Sequence, residues 1–480
     1  MKKYFWKQEK FYGLSDDSKL GRVGAFRYGI GANVRSDTGF FTVAGKPILH
    51  SGSSVKKEID WIVDRQGTNE VYNYGEDTIY LEKDGAYSAV RVLGSDSPNG
   101  QGMCEFNGSL YYRTSTELGK YDYSTFNDTY QSGFSTCRKW SPMCTYLNML
   151  LIGHGRYIAT LDDIGTFTIR RLTLMPGYNV RHIFKSGSYV FILATKGEEI
   201  TNSDEGFMFI WDGTSDLYID STVITGNPHA GISYNNKLIL IAGSEPQIQE
   251  SLGGMANPII NIPKVNIGNT VEVYPGAIDM HRGIIHFGIA GGDDDDVLRG
   301  LYAYGSEKEG MNDMLNCEYK PSHGILKGKS IGITAVKKIG SKIRYAWKNG
   351  SSYGIDIIDH QQYQDSATIR TFAFDASSPF EKVAQKMVIQ FARPLRDGES
   401  VTAKISSDPY GDESFSDTST SVTGTQTTVG SKRLDIPLTV TNTPIRSEDM
   451  HLEVTIAGTG STRPSVKRTY VAIDEENENL

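Results

Sequence analysis

Cysteine is scarce: four residues, at positions 104, 137, 144 and 317, in a chain of 480. Without paired spacing they supply neither a disulfide framework nor a zinc knuckle, so the reduced state is expected. Positive charge is short as well. Forty-nine Lys and Arg face 57 Asp and Glu, a formal charge of −8, which excludes a general nucleic-acid binder held by phosphate neutralisation. No apolar run approaches bilayer-spanning length, and residues 1–10 reach Lys7, Glu9 and Lys10 before a signal-peptide core can form. Synthesis and assembly in a cytoplasm, with no membrane segment, is the expectation.

Signatures of chemistry are missing too. There is no G-x-S-x-G elbow, no H-E-x-x-H and no Cys/His cluster. Gly291 and Gly292 precede acids that would repel phosphate. The run Asp293, Asp294, Asp295, Asp296 lacks the alternate spacing and glycine of a calcium loop and reads as a solvated loop. No catalytic residue, cofactor or metal ligand is assigned, and the chain is expected not to be an enzyme.

What is present is a repeat. The stretch Phe106, Asn107, Gly108, Ser109, Leu110, Tyr111, Tyr112 reads as strand, tight turn, strand. Copies place turn residues at Gly67, Gly108, Asn148, Gly187, Asn236, Gly283 and Gly340, at intervals of 39 to 57 residues, the first copy being the least regular. Second hairpins follow in several copies, one of them turning on Asp84 and Gly85. Seven such units, with 51 glycines and 27 tyrosines in the chain, predict a seven-bladed β-propeller over 56–368, because one small twisted sheet cannot cover both its faces alone. The longer late intervals are read as rim loops at 245–258, 291–298 and 306–316.

Residues 1–55 show no sustained period and predict an extended N-terminal arm. Its aromatics Phe5, Trp6, Phe11, Tyr12, Phe26, Tyr28, Phe40 and Phe41 are too apolar to be left in water. They are the candidate interaction residues, lying over the ring or reaching a neighbouring subunit. Past residue 368 six alternating segments predict a β-sandwich over 369–480, with a Ser/Thr-rich loop or exposed hairpin at 408–430 and a short acidic tail. The fold class is therefore all-β.

Three other features carry weaker signals. His154 reads as a hydrogen-bonded turn histidine rather than a base. Thr160 to Phe167 resembles one imperfect Asp box of sialic-acid-cleaving propellers. Trp140, Trp211 and Trp347 are the tryptophans that could stack on sugar, or pack between blades.

The phrase Asn33, Val34, Arg35, Ser36, Asp37, Thr38, Gly39, after Tyr28-Gly29-Ile30-Gly31-Ala32 and before Asp60-Trp61-Ile62-Val63, resembles the start of tailed-bacteriophage virion proteins. The order of arm, propeller and sandwich is similar to their tail, nozzle and tail-tip components. That resemblance implies a structural, non-enzymatic virion protein forming a homo-oligomeric ring with other virion tail proteins. Its contact with DNA would be that of a passive channel wall, without specific nucleic-acid binding. The rival reading is a propeller that binds or cleaves host glycans, which calls for convergent carboxylates or arginines on the ring axis.

Overall fold

In the computed structural model the chain is all-β. The structure describes residues 3–15, 25–35, 39–94, 101–135, 139–197, 205–243, 246–262, 271–292, 295, 297–307, 313–372, 374, 382–407, 421–438, 446–447 and 450–475. Among the described residues there is no helix. Where the sequence predicts three segments, the chain forms two compact units. One comprises Ile48–Leu301 and Pro321–Ile357; the other comprises Met1–Pro47, Tyr302–Lys320 and Ile358–Leu480.

The first, the repeat unit, is built of small antiparallel meanders. Six four-stranded sheets occur among the described residues, the first running Trp61–Asp64, Glu70–Gly75, Thr78–Lys83 and Ala86–Val92. Four more begin at Gly102, Met143, Tyr178 and Pro228. The last, of Ile331–Ile339, Lys342–Asn349 and Ser352–Tyr363, takes its outer strand from Gly45–Leu49. Just beyond that strand the N–H groups of His50 and Ser51 both donate to Ile355 O, at 2.8 and 3.2 Å. Between the fifth and last sheets stands the hairpin Ile278–His281 and Ile284–Gly288.

Turn chemistry explains the meanders. All seven marker residues have positive φ, from 57° to 76°, a region open to Gly and tolerated by Asn. At 107–108, 147–148, 235–236 and 282–283 both turn residues are left-handed, the two-residue loop whose twist matches that of paired strands. The first strands of successive units touch in chain order, and Ile331–Ile339 touches Trp61–Asp64. Apolar side chains fill the space between neighbouring sheets: Leu151, Ile158 and Leu172 of one pack with Ile192, Phe209 and Trp211 of the next. Gly276 permits a close approach, since a Cβ there would lie 2.0 Å from Asp60 O.

Two expected loops are not loops. Within 245–258 lies the strand Gln247–Ser251, and Asn257–Asn261 begins there, completing the fifth sheet. Its Gln249 and Ser251 are buried yet bonded, to Thr225 O at 2.7 Å and Gly254 O at 2.8 Å, so the inward face reads as polar. Residues 314–316 of the second loop open the strand Met314–Tyr319, which belongs to the other unit and lengthens the last interval. Of the acidic run, Asp293, Asp294 and Asp296 lie outside the described residues.

The second unit joins both ends of the chain. Lys3–Gln8 pairs antiparallel with Ser465–Glu475, Lys3 opposite Asp474, and Phe41–Val43 pairs with the same strand. Phe26–Ile30 lies between Ser366–Thr371, antiparallel, and Met314–Tyr319, parallel. Lys382–Phe391, Ser400–Ser406, Arg433–Pro437 and His451–Ala457 supply the other expected strands, while Ser421–Gln426 hairpins onto Ser400–Ser406 within the Ser/Thr-rich stretch. Residues 408–420 and 476–480 lie outside the described residues.

The expected arm is thus woven into sheets, because a strand's N–H and C=O groups need partners wherever they are buried. Phe11, Phe26 and Phe41 have no exposure at all, with Phe11 5.9 Å from Phe41. Trp6 stacks on Phe374 at 4.2 Å, and Arg370 lies over Tyr28 at 4.6 Å. Tyr12 and Phe40 are half-buried, and Phe5 is 71% exposed. For Phe11, Phe26 and Phe41, core packing in their own unit replaces the expectation of an arm laid over the ring or reaching a neighbour. Arg35 of the glycine-rich phrase is likewise structural: it grips Glu318 in a buried two-pronged ion pair, Nη2 to Oε2 at 2.5 Å and Nε to Oε1 at 3.1 Å.

Candidate functional site

Successive residues of the first strands, with Gln66, Pro275 and Gly276 beside them, surround a cavity of about 250 Å³ in the repeat unit. Trp61, Met103, Met143 and Val336 give it apolar walls, while Asp64, Glu105 and Lys337 bring charge. Burial, then the neighbouring Asp64, pushes the Glu105 carboxyl above its usual range. Lys337 Nζ reaches Asp279 Oδ2 at 3.6 Å. His182, also in the lining, accepts the Gly231 N–H on Nδ1 at 3.0 Å. Burial, then Arg181, lowers its pKa to about 3, so it stays neutral.

Trp61 is shared with a second feature, a buried ionic cluster. It meets Trp140 edge-on at 6.4 Å, and Trp140 lies 4.7 Å from Tyr274. Around these rings Glu272 accepts from Arg181 Nη2 and from Lys139 Nζ, each at 2.6 Å. Burial would raise the Glu272 carboxyl, but Arg181 and Lys139 outweigh it and hold the pKa at about 2. Lys348 Nζ donates to Glu58 Oε1 at 2.8 Å and to Tyr274 Oη at 3.3 Å. Beside them, burial and Glu58 keep the Asp60 carboxyl well above its ordinary range. His229 accepts the Val273 N–H at 3.2 Å and donates to Gly243 O at 2.8 Å. Glu272, Arg181, Lys139, Glu58 and Lys348 each have a counter-ion and a hydrogen bond, which fixes their positions.

The residues singled out in the sequence fall elsewhere. Trp140 is in the cluster, Trp211 donates to Ser215 O at 2.9 Å, and Trp347 donates to Asp356 Oδ1 at 2.9 Å. All three are buried and offer no open ring face for stacking. His154 is spent on two backbone bonds, from Ser135 N at 3.2 Å and to Ile169 O at 2.7 Å. Asp162, of the Asp-box-like turn, accepts the N–H groups of Ile164 and Thr166, as Asp122 and Asp212 do in the same turn of neighbouring sheets. Asp295 accepts the Lys329 N–H at 2.8 Å. Among the described residues no three His, Cys, Asp or Glu side chains are placed to hold a metal ion, and Cys104 and Cys144 are free thiols.

Sequence reading missed the charged groups of both features, because each comes from a different sheet. A signal was available once the repeats are aligned. The third residue before the turn is Cys104, Cys144, Asp279 and Lys337 in four of the units, and the last two are an ion pair.

No family model and no curated protein matches the chain. Among solved structures it is similar to the Neurospora crassa Pan2 WD40 domain, at 9% identity over 66% of this chain and 95% of that one, TM-score 0.43. It is also similar to the N-terminal domain of Nup159, at 10% over 70% and 100%, TM-score 0.40. An extracellular domain of a hybrid two-component system from B. thetaiotaomicron aligns at 10% over 74% of this chain, which spans 44% of that one, TM-score 0.46. Likeness at this level leaves the reading of this chain to its own geometry. Among the described residues no helix is long and apolar enough to cross a membrane.

Proposed function

We propose that the chain is a non-enzymatic structural component of a bacteriophage virion, a ring protein of the tail, nozzle or tail tip assembled in the host cytoplasm. In this reading the repeat unit is a seven-bladed β-propeller and the second unit a β-sandwich made from both chain ends. The closed succession of first strands supports the propeller, and the two sheets with alternately buried residues support the sandwich.

One observation carries the building-block role. In a four-stranded meander the first and third turns lie at the same end of the sheet, and in three consecutive sheets those turns project large apolar side chains. They are Leu147 and Ile164, then Tyr189, which follows the first turn, and Leu217 of the third, then Leu252 and Met255, both of the third turn, with Ile164 85% and Leu252 79% exposed. Leu147 moreover sits at φ +45°, a conformation that costs a non-glycine residue roughly 1–2 kcal/mol. Water offers no return for an exposed leucine held there, whereas a neighbouring subunit does. This rim takes over the assembly role expected of the aromatic arm.

The test is the assembly state of purified protein by analytical ultracentrifugation, with and without Leu217→Asp and Leu252→Asp together. A defined ring that falls to monomer in the double variant supports the reading. A wild-type chain that stays monomeric at the highest soluble concentration and is missing from purified phage particles sinks it.

A further inference from the structure

The cavity of the repeat unit is lined by two carboxylates that no cation among the described residues touches. Asp64 and Glu105 line it together with Lys337, whose ammonium pairs with Asp279 outside the lining. The nearby guanidinium groups make their hydrogen bonds and ion pairs with other residues, Arg65 donating to Glu70 Oε2 at 2.7 Å and lying 3.8 Å over the Tyr123 ring and Arg344 pairing with Glu82, and act on Glu105 and Asp64 through space alone. His182 and the Cys104 thiol are neutral, the thiol's pKa being pushed by burial up to about 12. Among the described residues neither the Asp64 nor the Glu105 carboxylate makes a hydrogen bond or ion pair, and the walls beside them are Trp61, Met103, Met143 and Val336. Thioether and aromatic surfaces accept alkyl chains and attract cations.

We infer that this cavity binds a ligand with an alkyl stem ending in an ammonium or guanidinium, the stem against Trp61, Met103 and Met143 and the cation between Asp64 and Glu105. The volume, about 250 Å³, equals the share of on the order of eight waters, enough for a stem of several carbons. A sugar fits less well, since hydroxyl groups want many convergent donors and acceptors, and half of this lining is apolar. The inference is independent of the virion reading: a ring protein with an empty cavity and a monomer with an occupied one are equally testable outcomes.

The experiment titrates full-length protein with n-butylammonium, n-butanol, glucose and a blocked lysine, Nα-acetyl-lysine methylamide, by ligand-observed NMR and calorimetry. Expected is n-butylammonium binding at least about tenfold tighter than n-butanol, with the advantage falling as salt rises. Asp64→Asn combined with Glu105→Gln should erase that advantage. Lys337→Met, which removes the competing ammonium, should tighten binding about threefold or more, an effect that no misfolded variant would give. A blocked lysine that binds at least as well as n-butylammonium identifies the occupant as a partner's side chain. One that is excluded while n-butylammonium binds identifies a free amine, and either result supports the site. Equal binding of amine and alcohol, glucose binding in their place, or an advantage unchanged in the double variant overturns it.

Discussion

The two units differ in how far along the chain each contact reaches. In the repeat unit nearly every strand pairs with the next one in sequence, across turns of a few residues. In the second unit Lys3 faces Asp474, and Phe41 faces Val466. One exception in the repeat unit sits at its seam, where His50 reaches Ile355. Local contacts cost little loop-closure entropy and are written in short motifs, whereas distant ones cost more and leave no local trace. Each unit nonetheless has a buried ionic tie between remote segments: Glu272 with Arg181 and Lys139 in one, Glu318 with Arg35 in the other.

Those ties offer the largest test of the contrast. Glu272→Ala strands Arg181 among buried rings, takes the partner of the half-exposed Lys139 and should cost about 3–5 kcal/mol, whereas Glu318→Ala, which leaves Arg35 with Glu307 at 3.7 Å, should cost less. Hydrogen exchange should quicken across strands of the repeat unit for the first and in Lys3–Gln8 and Ser465–Glu475 for the second. Uniform acceleration throughout the chain in either variant would erase the distinction between the units.

Acid provides a graded version. Glu272 titrates at about 2 in the folded chain against an ordinary 4.5. Its contribution is complete above 4.5 and is lost as pH falls from there toward 2, amounting to on the order of 3 kcal/mol. Glu272→Gln should flatten that acid limb in urea titrations taken between pH 5 and pH 2.5. An unchanged slope would mean that the carboxylate is not held by its two cations.

Glycines sharpen the comparison within the repeat unit. Gly276→Ala drives a Cβ to 2.0 Å from the Asp60 carbonyl and should cost about 1–3 kcal/mol, as overpacking does. Gly340→Ala meets nothing within 4 Å, so only its φ of +59° opposes it, at roughly 1 kcal/mol. A loss at Gly276 no larger than that at Gly340 in chemical denaturation would contradict the tight seating of that turn against Asp60.

How much could be read beforehand follows the same division. The seven marker turns are legible because a left-handed turn needs Gly or Asn in the sequence itself. Gln247–Ser251 is not, since its inward residues are Gln249 and Ser251, and a polar side chain satisfied by a carbonyl looks the same on paper as one in water. Asn33 to Gly39 caught the eye as a phrase, yet the work of its Arg35 depends on Glu318, some 280 positions away. The cavity charges Asp64, Glu105 and Lys337 were hidden for a related reason: each is ordinary in its own strand, and only the succession of sheets brings them together.

Leu147 separates stability from assembly most finely, and with the smallest effect. Its neighbour Asn148 shares the left-handed turn at little cost, because Asn enters that region several times more readily than a bulky residue. Leu147→Asn should therefore stabilise the isolated chain by about 1 kcal/mol, read as a small rise in melting temperature at low concentration. If the side chain is retained to be covered by another subunit, the same substitution should weaken self-association in sedimentation velocity. Stabilisation accompanied by unaltered association would leave the leucine a tolerated strain with no partner, and the rim would lose its strongest support.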